Sequence, residues 1–244
     1  MDKALAAELD KFQKDVAKNA EEIVFKTFPT KLIASTNDPK SPFHPSHVAT
    51  SIDTRVYPPP AQPNEDEPPT KKRKSSEPSN RDSVTSHNDT QSARFENLVK
   101  SNFHAKSLHD VVKKECEEIA TLIDHIKLWV TLRMPRIEDG DNFGVQVQEE
   151  ALAELHRAQE SAYNIRDVPR QDYLSRAKIC SKLIKYPHVE DYTLALQEHD
   201  SKQIYYARQR LYDIRNLYAA LTDVLHKNIA KIRAPKANNR TGMY

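Results

Sequence analysis

Glycine is scarce in this chain, with three glycines among 244 residues. Sandwiches and barrels need glycine-rich turns, and nucleotide-binding proteins need a glycine-rich phosphate loop, so the composition argues against these classes. Charged residues make up 30% of the chain and hydrophobic residues 38%, a balance typical of long helices with charged surfaces. We therefore predict an all-α protein.

Cysteine is scarce as well, and the chain lacks a strong net charge and long apolar runs. The two cysteines, Cys116 and Cys180, fall on apolar helical stripes, so we interpret them as reduced core thiols. The net charge is +2, which gives no indication of a nucleic-acid partner. No apolar run approaches the ~20 residues of a membrane span, so we expect no membrane partner.

The sequence offers no arrangement for catalysis or metal binding. No HExxH motif or paired metal spacing occurs, and no Ser-His-Asp or Cys-His arrangement can be assigned. We therefore predict a non-enzyme without cofactors or metal. Seven of the ten histidines are expected at solvated or core-edge positions, namely His104, His109, His125, His156, His188, His199 and His226.

Apolar residues recur every three or four positions and predict an up-down four-helix bundle. The first helix, in residues 1–34, is expected to fade near Phe28–Pro29, with a short continuation through Lys31–Ala34 left open. Pro169 is expected to kink or break the third helix. The other three helices are predicted from about residues 92–95 to Pro135, from Val147 to Pro187, and from His188 to Ile232.

Residues 35–91 hold most of the 15 prolines and are predicted to be a disordered insert. The insert carries a basic run, Lys71, Lys72, Arg73 and Lys74. This run fits a nuclear import signal read by an importin-type receptor, and the alternative is a solvated charge run. Residues 92–235 then form the rest of the bundle, and residues 236–244 form a tail beyond Pro235.

The stretch at residues 135–145, PRIEDGDNFGV, contains two of the three glycines. Glycine enters positive φ without steric cost, so this stretch is predicted to be a structured loop between the second and third helices. In an up-down bundle, this loop and the end of the fourth helix fall at the same end. The loop and the tail are therefore predicted to be neighbours, with the insert at the opposite end.

The loop has an alternative interpretation as a calcium site. Asp139, Asp141, Gly144 and Glu150 occupy positions one, three, six and twelve of an EF-hand loop. Position five, however, holds Phe143 instead of an oxygen ligand. A plain solvated connection between helices would also explain the Asp and Gly residues.

Several motifs resemble a known family. PRIEDGDNFGV followed by QEE, KYPHVEDY at residues 185–192, KNIAKIRAP at residues 227–235 and the final Met-Tyr resemble the 11S (PA28, or REG) proteasome activators. They cover more than half of the chain in the family's order, and the basic insert resembles that of the gamma-type, nuclear member. One departure is Asp141, where the family usually has Asn.

The resemblance implies a homo-heptameric ring that opens the gate of the 20S proteasome alpha ring without ATP. The implied docking tail ends in Gly242, Met243 and Tyr244, and Lys178 is implied to face the pore. Location in the nucleus, and also in the cytoplasm, is implied; a nuclear helical scaffold is the remaining alternative. The implied activation loop comprises Arg136, Ile137, Glu138, Asp139, Gly140, Asp141, Asn142, Phe143, Gly144 and Val145.

Overall fold

The computed structural model describes residues 2–37, 40, 99–136 and 142–236, and these residues contain helices and no strand. The helices are α1 (Lys3–Glu22), a π-helical segment (Ile23–Thr27), α2 (Phe28–Asn37), α3 (Phe103–Arg133), α4 (Phe143–Lys185) and α5 (Glu190–Arg233). α1, the π-helical segment and α2 follow one another without a break and form one rod. The four rods pack as an up-down bundle, which confirms the predicted fold class.

The first rod continues past the point where it was expected to fade. Pro29 has no N–H group and cannot donate to a carbonyl four residues back. The π-helical segment precedes it, and the N–H of Phe28 donates to the carbonyl of Ile23 five residues back. Phe28 is fully buried and packs edge-on against Tyr218, with ring centroids 5.4 Å apart. This burial stabilises a helix that extends to Asn37.

α3 begins later than the predicted residues 92–95. Residues 99–101 are not helical, and Asn102 caps the helix. Its side-chain oxygen accepts hydrogen bonds from the backbone N–H groups of His104 and Ala105, at 3.0 and 3.2 Å. Such caps satisfy N–H groups that lack an intrahelical partner. α3 ends because Met134 precedes Pro135 and takes an extended conformation, with φ −63° and ψ 131°.

α4 and α5 are the longest helices, with 43 and 44 residues. At about 1.5 Å per residue each spans ~65 Å. The predicted break at Pro169 is wrong, since α4 runs through this buried proline without interruption. Buried residues of α4 lie on both sides of Pro169, Ala162 before it and Asp172 after it, and their packing offsets the missing hydrogen bond.

We call the end of the bundle where α3 ends, α4 begins and α5 ends the loop end. The opposite end, where the turn at residues 186–189 joins α4 to α5, is the hairpin end. The main apolar core occupies the loop half. A small apolar cluster at the hairpin end contains Cys180, Leu183 and Leu196. Between the two lies a buried polar layer formed by Asn102, His109, Asp172, Arg176 and Asp200.

Among the described residues, no helix combines the length and apolar character needed to cross a membrane.

Candidate functional site

The predicted activation loop is partly described. Arg136 lies on one side and Asn142 on the other, while residues 137–141 lie outside the described residues. The prediction extends the loop too far, because Phe143 is already the first residue of α4. The carbonyl of Asn142 accepts a 2.9 Å hydrogen bond from the N–H of Gln146, which starts the helix. Gly144 and Val145 therefore belong to the first turn of α4 and not to the loop.

Gly144 is required by a close approach between two chain segments. It is buried in the first turn of α4, against the backbone of Pro235 just beyond α5. A β-carbon added at Gly144 would overlap the carbonyl group of Pro235. The reason for this glycine is therefore space and not the positive φ that the loop interpretation predicted.

Gln148 connects the ends of three helices. Its side chain is buried, and Nε2 donates to the carbonyl of Ile232 at 2.9 Å and points to that of Arg133 at 3.5 Å. These carbonyls belong to the last turns of α5 and α3, where backbone oxygens lack an intrahelical donor. We call the set Arg133, Gly144, Gln148, Ile232 and Pro235 the loop–tail junction.

Two contacts extend the junction to the surface. The ammonium group of Lys236 lies 3.5 Å from the carbonyl oxygen of Arg136. The ammonium group of Lys231 lies 5.9 Å from the ring centroid of Phe143, whose side chain is 57% exposed. The described flanks of the loop thus contact the base of the tail, which confirms that these segments are neighbours at the loop end.

The calcium interpretation is wrong for the described part of the loop. An EF-hand loop wraps its ligands around one ion over twelve residues. Here the chain is helical from position five onward, and Glu150, at position twelve, accepts a 3.0 Å hydrogen bond from Gln146. No group of three His, Cys, Asp or Glu side chains suited to a metal occurs within the described residues.

Comparison with known proteins places this site in a family. The family model described as "Proteasome activator PA28, C-terminal" matches residues 98–242, a stretch that includes α3, α4, α5 and every residue of the loop–tail junction. The chain belongs to the PA28 proteasome activator family. The proteins of this family are regulators of the proteasome rather than catalysts.

Similarity to individual PA28 proteins extends over the whole chain. The chicken (Gallus gallus) protein "Proteasome activator complex subunit 3" is 35% identical over 256 residues, covering 100% of this chain and 98% of the relative. The human (Homo sapiens) protein of the same name is 34% identical, with the same coverage. The crystal structure of the 11S subunit of the Plasmodium falciparum proteasome, PA28, matches with a TM-score of 0.72 at 32% identity, covering 96% of each chain. The match to subunit 3 confirms the resemblance to the gamma-type member.

The other predicted PA28 site residues lie away from the junction or outside the described chain. Lys178 lies in the hairpin half of α4, and its side chain is exposed. The tail residues Gly242, Met243 and Tyr244 fall outside the described residues, as does the basic run from Lys71 to Lys74.

A buried histidine–aspartate cluster was missed by the sequence analysis. His109 is fully buried, and its Nε2 lies 3.0 Å from one oxygen of Asp172. Nε2 of His199 lies 2.7 Å from the other oxygen. The predicted solvated or core-edge position is wrong for His109. The missed signal was its spacing, because it lies four residues after buried Ala105 and three before buried Val112.

Charges and hydrogen bonds compensate the buried carboxylates of this layer. Burial alone would raise the pKa of Asp172, but the hydrogen bonds and charges of His109 and His199 hold it below its usual value. The neighbouring Asp200 accepts two hydrogen bonds from the guanidinium group of Arg176, at 2.8 and 3.2 Å. Asp172 and Asp200 therefore have polar partners on other helices, and the layer ties α3, α4 and α5 together.

The cysteine prediction is confirmed. Cys116 and Cys180 are buried, with 1% and 5% of their surfaces exposed. Burial raises the pKa of Cys116 to about 12 and also raises that of Cys180. Both side chains therefore remain protonated thiols at neutral pH and act as small apolar residues of the core.

Proposed function

We propose that this chain is an ATP-independent activator of the 20S proteasome. In this proposal a homo-heptameric ring docks on the alpha ring through its C-terminal tails, and the activation loops open the gate to peptides. The observation that carries the proposal is the loop–tail junction, which holds both flanks of the loop against the base of the tail. Membership of the PA28 family, and relatives named as proteasome activator subunits, support it.

Docking is assigned to Gly242, Met243 and Tyr244. A tail of a few residues binds weakly by itself. Several identical tails on one ring bind much more tightly, because each bound tail raises the effective concentration of the others. The ring thereby supplies the affinity that one tail lacks.

Gate opening is assigned to the loop. It requires that the loop contact the open alpha ring better than the closed one, since only a difference in affinity shifts a conformational equilibrium. Arg136, Asn142 and Phe143 lie at the loop end, beside the base of the tail. Docking of each tail would bring one loop against the alpha ring.

Three further assignments belong to the same proposal. The exposed side chain of Lys178 faces the pore of the ring and influences which peptides pass. The basic run at residues 71–74 binds an importin-type receptor and directs the protein to the nucleus, with a second pool in the cytoplasm. The chain itself catalyses no reaction and needs no cofactor.

The test is hydrolysis of a fluorogenic peptide by purified 20S proteasome, with and without this protein, in the absence of ATP. We expect a faster rate from a species that elutes near seven times 28.0 kDa. A ring-sized protein that leaves the rate unchanged would contradict gate opening. A monomer whose nucleic-acid binding falls steeply with salt would support the scaffold alternative instead.

A further inference from the structure

We propose that Gln148 is a positioning residue that couples docking of the tail to the action of the activation loop. The inference rests on the proposed function, because it assumes that the tail docks and that the loop opens the gate. It adds a structural link through which docking of the tail affects the position of the loop within a single subunit.

The side-chain amide of Gln148 has one possible orientation. Both of its partner atoms, on Arg133 and Ile232, are carbonyl oxygens, so the amide must present Nε2 to them. A flipped amide would set Oε1 against two acceptors. Nε2 therefore points at the last turns of α3 and α5 together.

Packing alone does not explain a glutamine at this position. Oε1 of Gln148 is buried and has no hydrogen-bond donor among the described residues. A buried acceptor without a partner destabilises a fold, and an apolar side chain of similar size would avoid that cost. What an apolar side chain cannot supply is the directional link from α4 to two helix ends.

The position of this link along the chain connects the two functional segments. Arg133 lies three residues before Arg136 of the loop, and Ile232 lies three residues before Pro235 at the base of the tail. Gly144 and Gln148 are four residues apart and share one face of α4. One contacts Pro235 and the other contacts Ile232.

A fixed base of the tail therefore implies a fixed start of α4. Close-packed segments move together because the interior cannot be compressed locally. Once docking fixes Pro235, the junction sets the height of Asn142 and Phe143 above the alpha ring. Loss of the amide link would leave the ring and the tail in place, but the loop would occupy a wider range of positions relative to them.

The experiment compares Gln148→Met with Gln159→Met in the full-length protein. Methionine keeps a similar volume and removes the amide. Gln159 is a matched control because it is also buried on α4 and donates to Ala120 O at 3.2 Å and to Asp124 at 2.6 Å. It lies eleven residues, or about 16 Å, farther along the helix from the loop end.

The rate of peptide hydrolysis by 20S proteasome is measured at increasing concentrations of the wild-type protein and of each variant. For Gln148→Met we expect a plateau rate lowered about two- to thirtyfold, the range that coupling residues usually show, with an unchanged half-saturating concentration. For Gln159→Met we expect the wild-type plateau. A purely structural defect would reduce the amount of active ring and shift the half-saturating concentration without lowering the plateau.

A second measurement tests the link between Gln148 and the loop in the absence of the proteasome. Amide hydrogen exchange of the free ring is measured in peptides covering residues 134–136 and 142–146. We expect faster exchange in Gln148→Met and wild-type exchange there in Gln159→Met.

The outcomes separate the two proposals. Wild-type stimulation with an equal plateau for Gln148→Met would overturn the coupling role and leave the proposed function intact. If the wild-type protein does not stimulate the proteasome, the proposed function is overturned, and coupling to the gate is overturned with it. The hydrogen-exchange measurement then decides whether Gln148 links the loop to the tail. Unchanged exchange in Gln148→Met would overturn that link as well.

Discussion

Gly144, in the first turn of α4, lies against the carbonyl group of Pro235 with no room for a side chain between them. The two residues are far apart in the chain, and their contact joins the start of the helix that follows the loop to the segment that leads into the tail. The proposed activation loop and the proposed docking tail are therefore attached to the same closely packed part of the bundle.

We predict that Gly144→Ala destabilises the protein. The added β-carbon meets backbone atoms of Pro235, which cannot move aside as a side-chain tip can. Overpacking of this kind typically costs about 1–3 kcal/mol. The free energy of unfolding, measured by denaturant titration, checks this. Glu149→Ala, at an exposed position five residues further along α4, is the control and should remain near wild type. Equal stability of both variants would contradict the close approach.

Deletion of Met243 and Tyr244 is predicted to abolish stimulation of the 20S proteasome while leaving the ring intact. Loss of the docking residues from every subunit removes all of the multivalent attachment at once. Size-exclusion chromatography monitors the ring, and co-sedimentation with 20S proteasome monitors docking. Undiminished stimulation by the truncated protein would show that docking depends on other residues.

Replacement of Phe143 or Asn142 by alanine is predicted to lower stimulation and to leave docking unchanged. Both side chains are exposed at the loop end, so their removal creates no core cavity. The comparison of 20S binding with peptide hydrolysis checks the separation. Tyr163→Ala removes a similarly exposed ring, 45% accessible, from the middle of α4 and should change neither quantity. Loss of docking together with stimulation would instead assign Phe143 to the shape of the bundle.

Stability is predicted to depend on Asp172 in a pH-dependent way. Its pKa lies below the ordinary 3.8 because hydrogen bonds and charges of His109 and His199 outweigh burial. Its ionised form therefore stabilises the fold above that pH, and this contribution is lost as the pH falls through the lowered value. Asp172→Asn should cost about 1–3 kcal/mol at pH 7. The difference from wild type should shrink below pH 3.8.

Asp167 provides the control for this prediction. Its pKa is also lowered, by a hydrogen bond from Arg170, but the pair is exposed to solvent. Exposed pairs are screened by water and salt and contribute little. Asp167→Asn should therefore change stability much less than Asp172→Asn at neutral pH. Equal effects in thermal unfolding followed by circular dichroism would contradict the special role of the buried cluster.

The sequence predicted the helices well and several of their boundaries poorly. Apolar periodicity reports which face of a helix is buried, and this signal is strong over segments of 30 residues or more. Boundaries depend on single caps, and the cap at Asn102 carries less signal than the apolar stripe that follows it. The tolerance of Pro29 and Pro169 inside helices depends on packing from distant segments, which local rules do not contain.

The candidate site was predicted in part. The order of the helices was enough to place the loop flanks next to the base of the tail. The contact of Gly144 with Pro235 was not predicted, since the spacing of the glycines equally favoured a turn. The cluster of His109, Asp172 and His199 was missed because each residue comes from a different helix, and only their alignment makes them one layer.

By itself the sequence determined an all-α bundle, its up-down path and the PA28 motifs, because these follow from composition, from the 3.6-residue period and from local residue order. Only the tertiary structure decided which polar side chains are buried and which backbone groups Gln148 links. Those facts depend on the axial register between α3, α4 and α5. Register arises from packing the whole bundle at once, since a shift of one turn would preserve every local pattern and move every contact between the helices.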